Sequence, residues 1–121
     1  MTCDFLIVQR YDKIVLAEVK KERLLDPASI TSLGEALIAE CDRTAKISLV
    51  IDVTEVGYLS SAMIGKLVAV HKAAKLSKGR VAIAGLKPAL LQMFKITQLD
   101  KLFEFAPAAE QLIMAYRRKP L

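Results

Sequence analysis

An α/β fold built on a mixed sheet follows from three observations. Short apolar, β-branched runs alternate along the chain with segments of helical periodicity. Two of the runs, Ile47–Val53 and Val81–Ala84, are apolar almost throughout, as in parallel strands buried on both faces. The first two runs are separated only by a short polar segment, which makes them an antiparallel hairpin at one edge. The predicted order is β-β-α-β-α-β-α-β-α, with about five strands and about four helices. Residues 1–121 are expected to form a single domain, because 121 residues is the usual size of one.

Phe5-Leu6-Ile7-Val8 and Ile14–Val19 flank Tyr11-Asp12-Lys13 and form the hairpin. Asp26-Pro27 opens the first helix, since Asp suits the cap and Pro the first helical position. Ile30, Leu33, Leu37, Ile38 and Cys41 recur at helical spacing, and the helix should end near Asp42-Arg43-Thr44. The central strand Ile47–Val53 is interrupted only by Ser48 and Asp52. Thr54–Leu59 connects it to a second helix from about Ser61 to Lys78, with Ile64, Leu67, Val68, His71 and Ala74 facing inward and Gly79 as the stop. Val81–Ala84 is the next strand, and Pro88 opens a third helix carrying Leu90, Leu91, Met93 and Phe94. A short strand is expected around Leu102–Phe105. Pro107 opens a last helix through Leu112, Ile113 and Tyr116, ending on Arg117, Arg118 and Lys119 near its negative pole.

A chain that is 54% hydrophobic and 26% charged is globular. Its apolar runs are short and broken by charges, so no transmembrane helix is expected. Met1-Thr2-Cys3-Asp4 lacks the basic and long apolar stretches of a signal peptide, which points to the cytoplasm. Cys3 and Cys41 have no motif spacing and read as free buried thiols; with one histidine, no zinc set and no other metal site is expected. The net charge of +5 permits an acidic partner, but the cations are spread over a helix face and a basic tail. Aromatic stacking platforms are scarce, so nucleic acid is not expected as a partner.

Catalytic chemistry finds no support. His71 lies ten residues along the same helix from Ser61, a rise of roughly 15 Å, which is beyond hydrogen-bond reach. There is no Gly-x-Ser-x-Gly elbow and no phosphate loop, so neither a catalytic residue nor a cofactor is assigned. The acidic strand end at Asp52 reads as a partner for a neighbouring loop.

The distinctive segment is the junction after the central strand, Val56-Gly57-Tyr58-Leu59-Ser60-Ser61-Ala62-Met63-Ile64-Gly65. Two serines stand where a helix begins. The free N–H groups of a helix start favour negative charge, so a phosphate is tolerated there and changes the surface by about two charges. A serine at that place also serves as a cap. One serine suffices for capping, and the second is not required by it.

This junction resembles the STAS domain, the module of bacterial anti-sigma factor antagonists. In that family a hydrophobic strand ends in an acidic residue and leads into an aromatic-apolar-Asp-Ser segment that opens a helix. The resemblance continues through Lys78–Gly85 and through Phe94–Phe103, covering roughly residues 5–116. It implies that Ser61 is the phospho-acceptor for a partner kinase that is also the anti-sigma factor. It further implies that Tyr58, Ser60, Ser61, Ala62 and Met63 form the partner-binding surface. Ser60 stands where the family has Asp, Met63 where it has Gly, and Gln98 where it has a second Gly. Met63 is expected to add an apolar side chain to the docking surface. The implied function is an anti-sigma factor antagonist-like signalling module, in which phosphate weakens a protein complex by repulsion and desolvation. The alternative is a STAS scaffold that is not phosphorylated and assembles with itself or other signalling proteins. A homodimer is left open.

Overall fold

The computed structural model describes residues 3–121, so Met1 and Thr2, read above for targeting, lie outside the described residues. Five strands form one mixed sheet: β1 (Leu6–Tyr11), β2 (Ile14–Val19), β4 (Ser48–Asp52), β6 (Arg80–Ala84) and β7 (Glu104–Ala106), in the spatial order β1-β2-β4-β6-β7. The β1–β2 pair is antiparallel and the rest are parallel, as expected for a hairpin feeding a parallel sheet. Among the described residues four α-helices accompany it: α1 (Pro27–Arg43), α2 (Ser61–Leu76), α3 (Pro88–Ile96) and α4 (Ala109–Arg118). The expected β-β-α-β-α-β-α-β-α order holds within this sheet.

Strand alternation divides the core. Val15, Ala17, Leu49, Ile51, Val81 and Ile83 face one way, toward Leu33 and Leu37 of α1, Met63 and Leu67 of α2, and Phe94 of α3. Ile14, Leu16, Val50, Ala82 and Ala84 face the other way, under Leu112 and Tyr116 of α4. Burial on both faces is why the central strands carry almost no polar residues. Both Cys3 and Cys41 are free and buried, and burial pushes the Cys41 thiol up to about 11. Asp26 caps α1 as expected, its carboxylate accepting from the Ser29 N–H at 2.9 Å.

Several boundaries differ from the sequence expectation. Residues 102–103 precede the last strand, which runs Glu104–Ala106 after a 3-10 turn at Leu99–Lys101. Phe103 is buried all the same, because it belongs to an aromatic cluster rather than to a ladder. The last helix starts at Ala109, not at Pro107. A second sheet, a parallel pair of β3 (Arg23–Leu24) and β5 (Tyr58–Leu59), was not expected, and two residues are too short to carry a periodicity.

The inward face of α2 is also corrected. Met63, Ile64, Leu67, Val70 and Ala74 are buried, whereas Val68 and His71 are half-buried. Met63, Leu67, Val70 and Ala74 follow a four-three-four spacing, with Ile64 beside them, because α2 packs on both the sheet and α1, so the seam is rotated from the one expected. His71 meets Phe103 edge-on at 5.6 Å, and its Nδ1 has no hydrogen-bond partner among the described residues. Burial, with Lys75 adding repulsion, holds the His71 pKa below its ordinary value. The unfolded chain therefore binds a proton that the folded chain resists. Stability from this residue is complete above about pH 6.5 and is lost as pH falls through the window below. Urea midpoints should fall as pH drops below about 6.5, and His71→Phe should flatten that component.

Two glycines are required by close approach. A Cβ on Gly79 would overlap the Ile47 carbonyl, so the stop after α2 reflects backbone packing; the left-handed residue there is Lys78, at φ 61°. Gly85 has φ 74°, and a Cβ on it would overlap the Thr54 hydroxyl.

Candidate functional site

The serine junction lies at the C-terminal end of the parallel strands, where loops leave an open α/β sheet. The loop after β4 is tied at several points. Asp52 Oδ1 accepts from the Thr54 N–H at 3.0 Å and from the Thr54 hydroxyl at 2.6 Å, the loop role expected for it. Lys87 Nζ, at the start of α3, donates to the carbonyls of Thr54 at 2.6 Å and Val56 at 3.0 Å. The Glu22 carbonyl accepts from the N–H groups of Gly57 and Tyr58, and β3 pairs Leu24 with Leu59. These ties hold the entry to α2 in one place.

Ser60 is the N-cap of α2, in extended conformation, and its hydroxyl accepts from the Met63 N–H at 3.2 Å. Ser61 is the first helical residue and is exposed. The two serines therefore divide the tasks that the sequence left open: Ser60 closes the helix, and Ser61 presents a hydroxyl to solvent. Ser60→Ala should cost about 1 kcal/mol of stability in urea unfolding, and Ser61→Ala should be close to neutral. The first turn of α2 carries no acidic residue, so the positive helix pole is uncompensated there.

Tyr58 is 48% exposed, with the Arg23 guanidinium 4.4 Å from its ring centroid. Ala62 is exposed beside Ser61. Met63 is the exception. It is 1% exposed and packs in the core, so the expectation that it lies on the docking surface is corrected. Met63 stands one turn before Leu67 on the buried seam of α2, and its longer side chain fills core space that a glycine leaves empty. The glycine-to-Gln98 change falls on a left-handed residue, φ 59°, the conformation in which glycine is free of strain. The sequence reading missed Arg23 and Lys87. Arg23 acts through a two-residue strand and Lys87 through carbonyls 31 and 33 positions away, and neither leaves a local signature.

His71 packs against Phe103 from the later part of α2, away from the serines. Among the described residues, no three His, Cys, Asp or Glu side chains converge as metal ligands. No helix among them is long and apolar enough to cross a membrane.

Solved structures with this architecture share little sequence with the chain. An anti-sigma factor antagonist from Mycobacterium paratuberculosis is 23% identical, with a TM-score of 0.77 over 97% of this chain and 99% of its own. An anti-sigma-factor antagonist (STAS) domain protein from Planctomyces limnophilus is 17% identical, with a TM-score of 0.79 over 91% of this chain and 95% of its own. The Bacillus cell fate determinant SpoIIAA in its phosphorylated form is 13% identical, with a TM-score of 0.72 over 93% of this chain and 99% of its own. At these identities the likeness is one of fold. The family model of the STAS domain matches residues 6–112, most of the chain, and the chain belongs to the STAS domain family.

Proposed function

We propose that this protein is an anti-sigma factor antagonist-like signalling module. Its α2 entry docks on a partner anti-sigma factor or serine kinase, and phosphorylation of Ser61 releases it. The observation that carries the reading is the separation of roles at the helix start: Ser60 is used as the cap, while Ser61 is exposed and free of a structural task. Tyr58 and Ala62 are exposed on the same short segment, and Arg23 places a cation over the Tyr58 ring. Met63 contributes from beneath, by fixing the first turn. The chain acts as one domain in the cytoplasm and does no chemistry of its own.

Phosphate at Ser61 does not unfold α2, because a dianion at the first helical position meets the positive pole. It acts on the interface, where the partner must desolvate or oppose it. Support also comes from the family, since SpoIIAA has a phosphorylated and an unphosphorylated form of the same fold. Incubation with a cognate serine kinase and ATP, followed by mass-spectrometric mapping, should place one phosphate on Ser61 and none on the Ser61→Ala variant. Phosphate elsewhere, or none, would sink the switch. In that event Ser60, standing where the family has Asp, favours the second reading, a scaffold that works without phosphate. Light scattering at high concentration would then show assembly.

A further inference from the structure

We infer that a pocket at the opposite end of the sheet binds a phosphoryl-type anion, held by Lys13, Lys46, Arg117 and the hydroxyl of Ser48. The cavity has a volume of about 420 Å³ and lies where the parallel strands begin. Ile14, Ser48 and Arg80 are in register across β2, β4 and β6, so Lys13 and Lys46 enter neighbouring strands at the same end. Neighbouring strands are about 4.8 Å apart, which brings two ammonium groups over one opening. Lys46 holds a left-handed backbone, φ 57°, a conformation uncommon for lysine. Arg117 reaches the opening from the end of α4, with its guanidinium 5.5 Å from the Tyr11 ring centroid.

The floor of the pocket offers a donor. Ser48 is 4% exposed, and its oxygen accepts from Arg80 Nε at 2.9 Å. Arg80 is fixed in turn by the Lys119 carbonyl at 2.7 Å and by stacking 3.7 Å from the Tyr116 ring centroid. The Ser48 O–H itself has no acceptor among the described residues, and accepting from a cation strengthens it as a donor. Both tyrosine hydroxyls are engaged elsewhere, Tyr11 on Gln9 and Tyr116 on Glu104, so their rings serve as walls. Asp12 is the one acidic side chain in the lining. No carboxylate lies within 4.0 Å of Lys13, Lys46 or Arg117 among the described residues. The three cations outnumber the Asp12 side chain and the terminal carboxylate of Leu121 in the lining, and their several N–H donors suit the acceptor oxygens of a phosphoryl group.

The pocket is a strand's length away from Ser61, roughly 17 Å, so it stands or falls apart from the switch. An NMR titration of the full chain with sodium phosphate tests it, with sodium chloride at matched ionic strength as the control. Saturable shifts are expected at the amides of Lys13, Lys46, Ser48 and Arg117 with phosphate only. Lys46→Asn, which keeps a residue at ease in the left-handed region, and Arg117→Gln should each weaken binding about tenfold. Ser61→Asp should leave it unchanged. Vesicles of phosphatidylcholine containing phosphatidic acid form a second arm. Binding to them that is lost in the same two variants assigns the phosphoryl group to a lipid headgroup, and its absence assigns a soluble ligand. Shifts that follow ionic strength equally in both salts would overturn the proposal. So would saturation that survives both substitutions, or duplex DNA binding in preference to phosphate.

Discussion

Phe94→Ala is expected to cost about 3–5 kcal/mol in urea unfolding, the range for a large aromatic removed from a closed core. Phe94 is fully buried and is the centre of an edge-to-face cluster, 5.9 Å from Phe103 and 5.8 Å from Phe105. Each such pair adds about 0.5–1.5 kcal/mol beyond the area it buries. Set against a typical domain stability of about 5–15 kcal/mol, this one change removes a large share. The effect should reach the serine junction as well. Only Leu90 and Phe94 of α3 are buried, and Lys87, at the N-cap of that helix, holds the loop carbonyls of Thr54 and Val56. Loosening α3 should therefore raise hydrogen exchange in residues 53–57 more than in β4. Phe94→Leu, which keeps most of the volume, should cost about 1–1.5 kcal/mol and leave the loop protected.

Ser61→Asp is expected to move stability and binding in opposite directions. A carboxylate at the first position of α2 meets an uncompensated helix pole and should stabilise the fold by about 0.3–1 kcal/mol. The same charge stands on the proposed docking surface and should weaken the complex with the partner kinase about 100-fold, equivalent to about 2.7 kcal/mol. Ser61→Ala should change neither quantity appreciably. Calorimetric titration and urea unfolding on the same samples separate these effects. A variant that loses binding and stability together has been misfolded rather than switched. One that keeps full affinity shows that Ser61 is not in the interface.

Much of the architecture was legible because the pattern is physical. The runs of Ile47–Val53 and Val81–Ala84 needed cover on both faces, and the sheet supplies it with α1, α2 and α3 on one side and α4 on the other. Asp26-Pro27 suits a cap and a first helical position, and α1 begins there. The pair Ser60-Ser61 could be placed at a helix start but not divided into cap and exposed hydroxyl, since both residue types suit both places. Met63 was misplaced because its apolar character fits a docking surface as well as a core. Only the rotation of α2 against α1 and the sheet decides, and that rotation is set by contacts distant in sequence.

By itself, then, the sequence determined the α/β class, the order of the strands and helices in the main sheet, and a serine-led helix after the central strand. Those features depend on local periodicity and capping, which act over a few residues. The tertiary structure alone decided that Lys87 and the Glu22–Leu24 segment hold the junction, and that Ser61 rather than Ser60 is free. It also decided that Lys13, Lys46 and Arg117 share one pocket. These depend on which chain ends the sheet brings side by side, and that is settled by strand register and close packing rather than by any neighbouring residue.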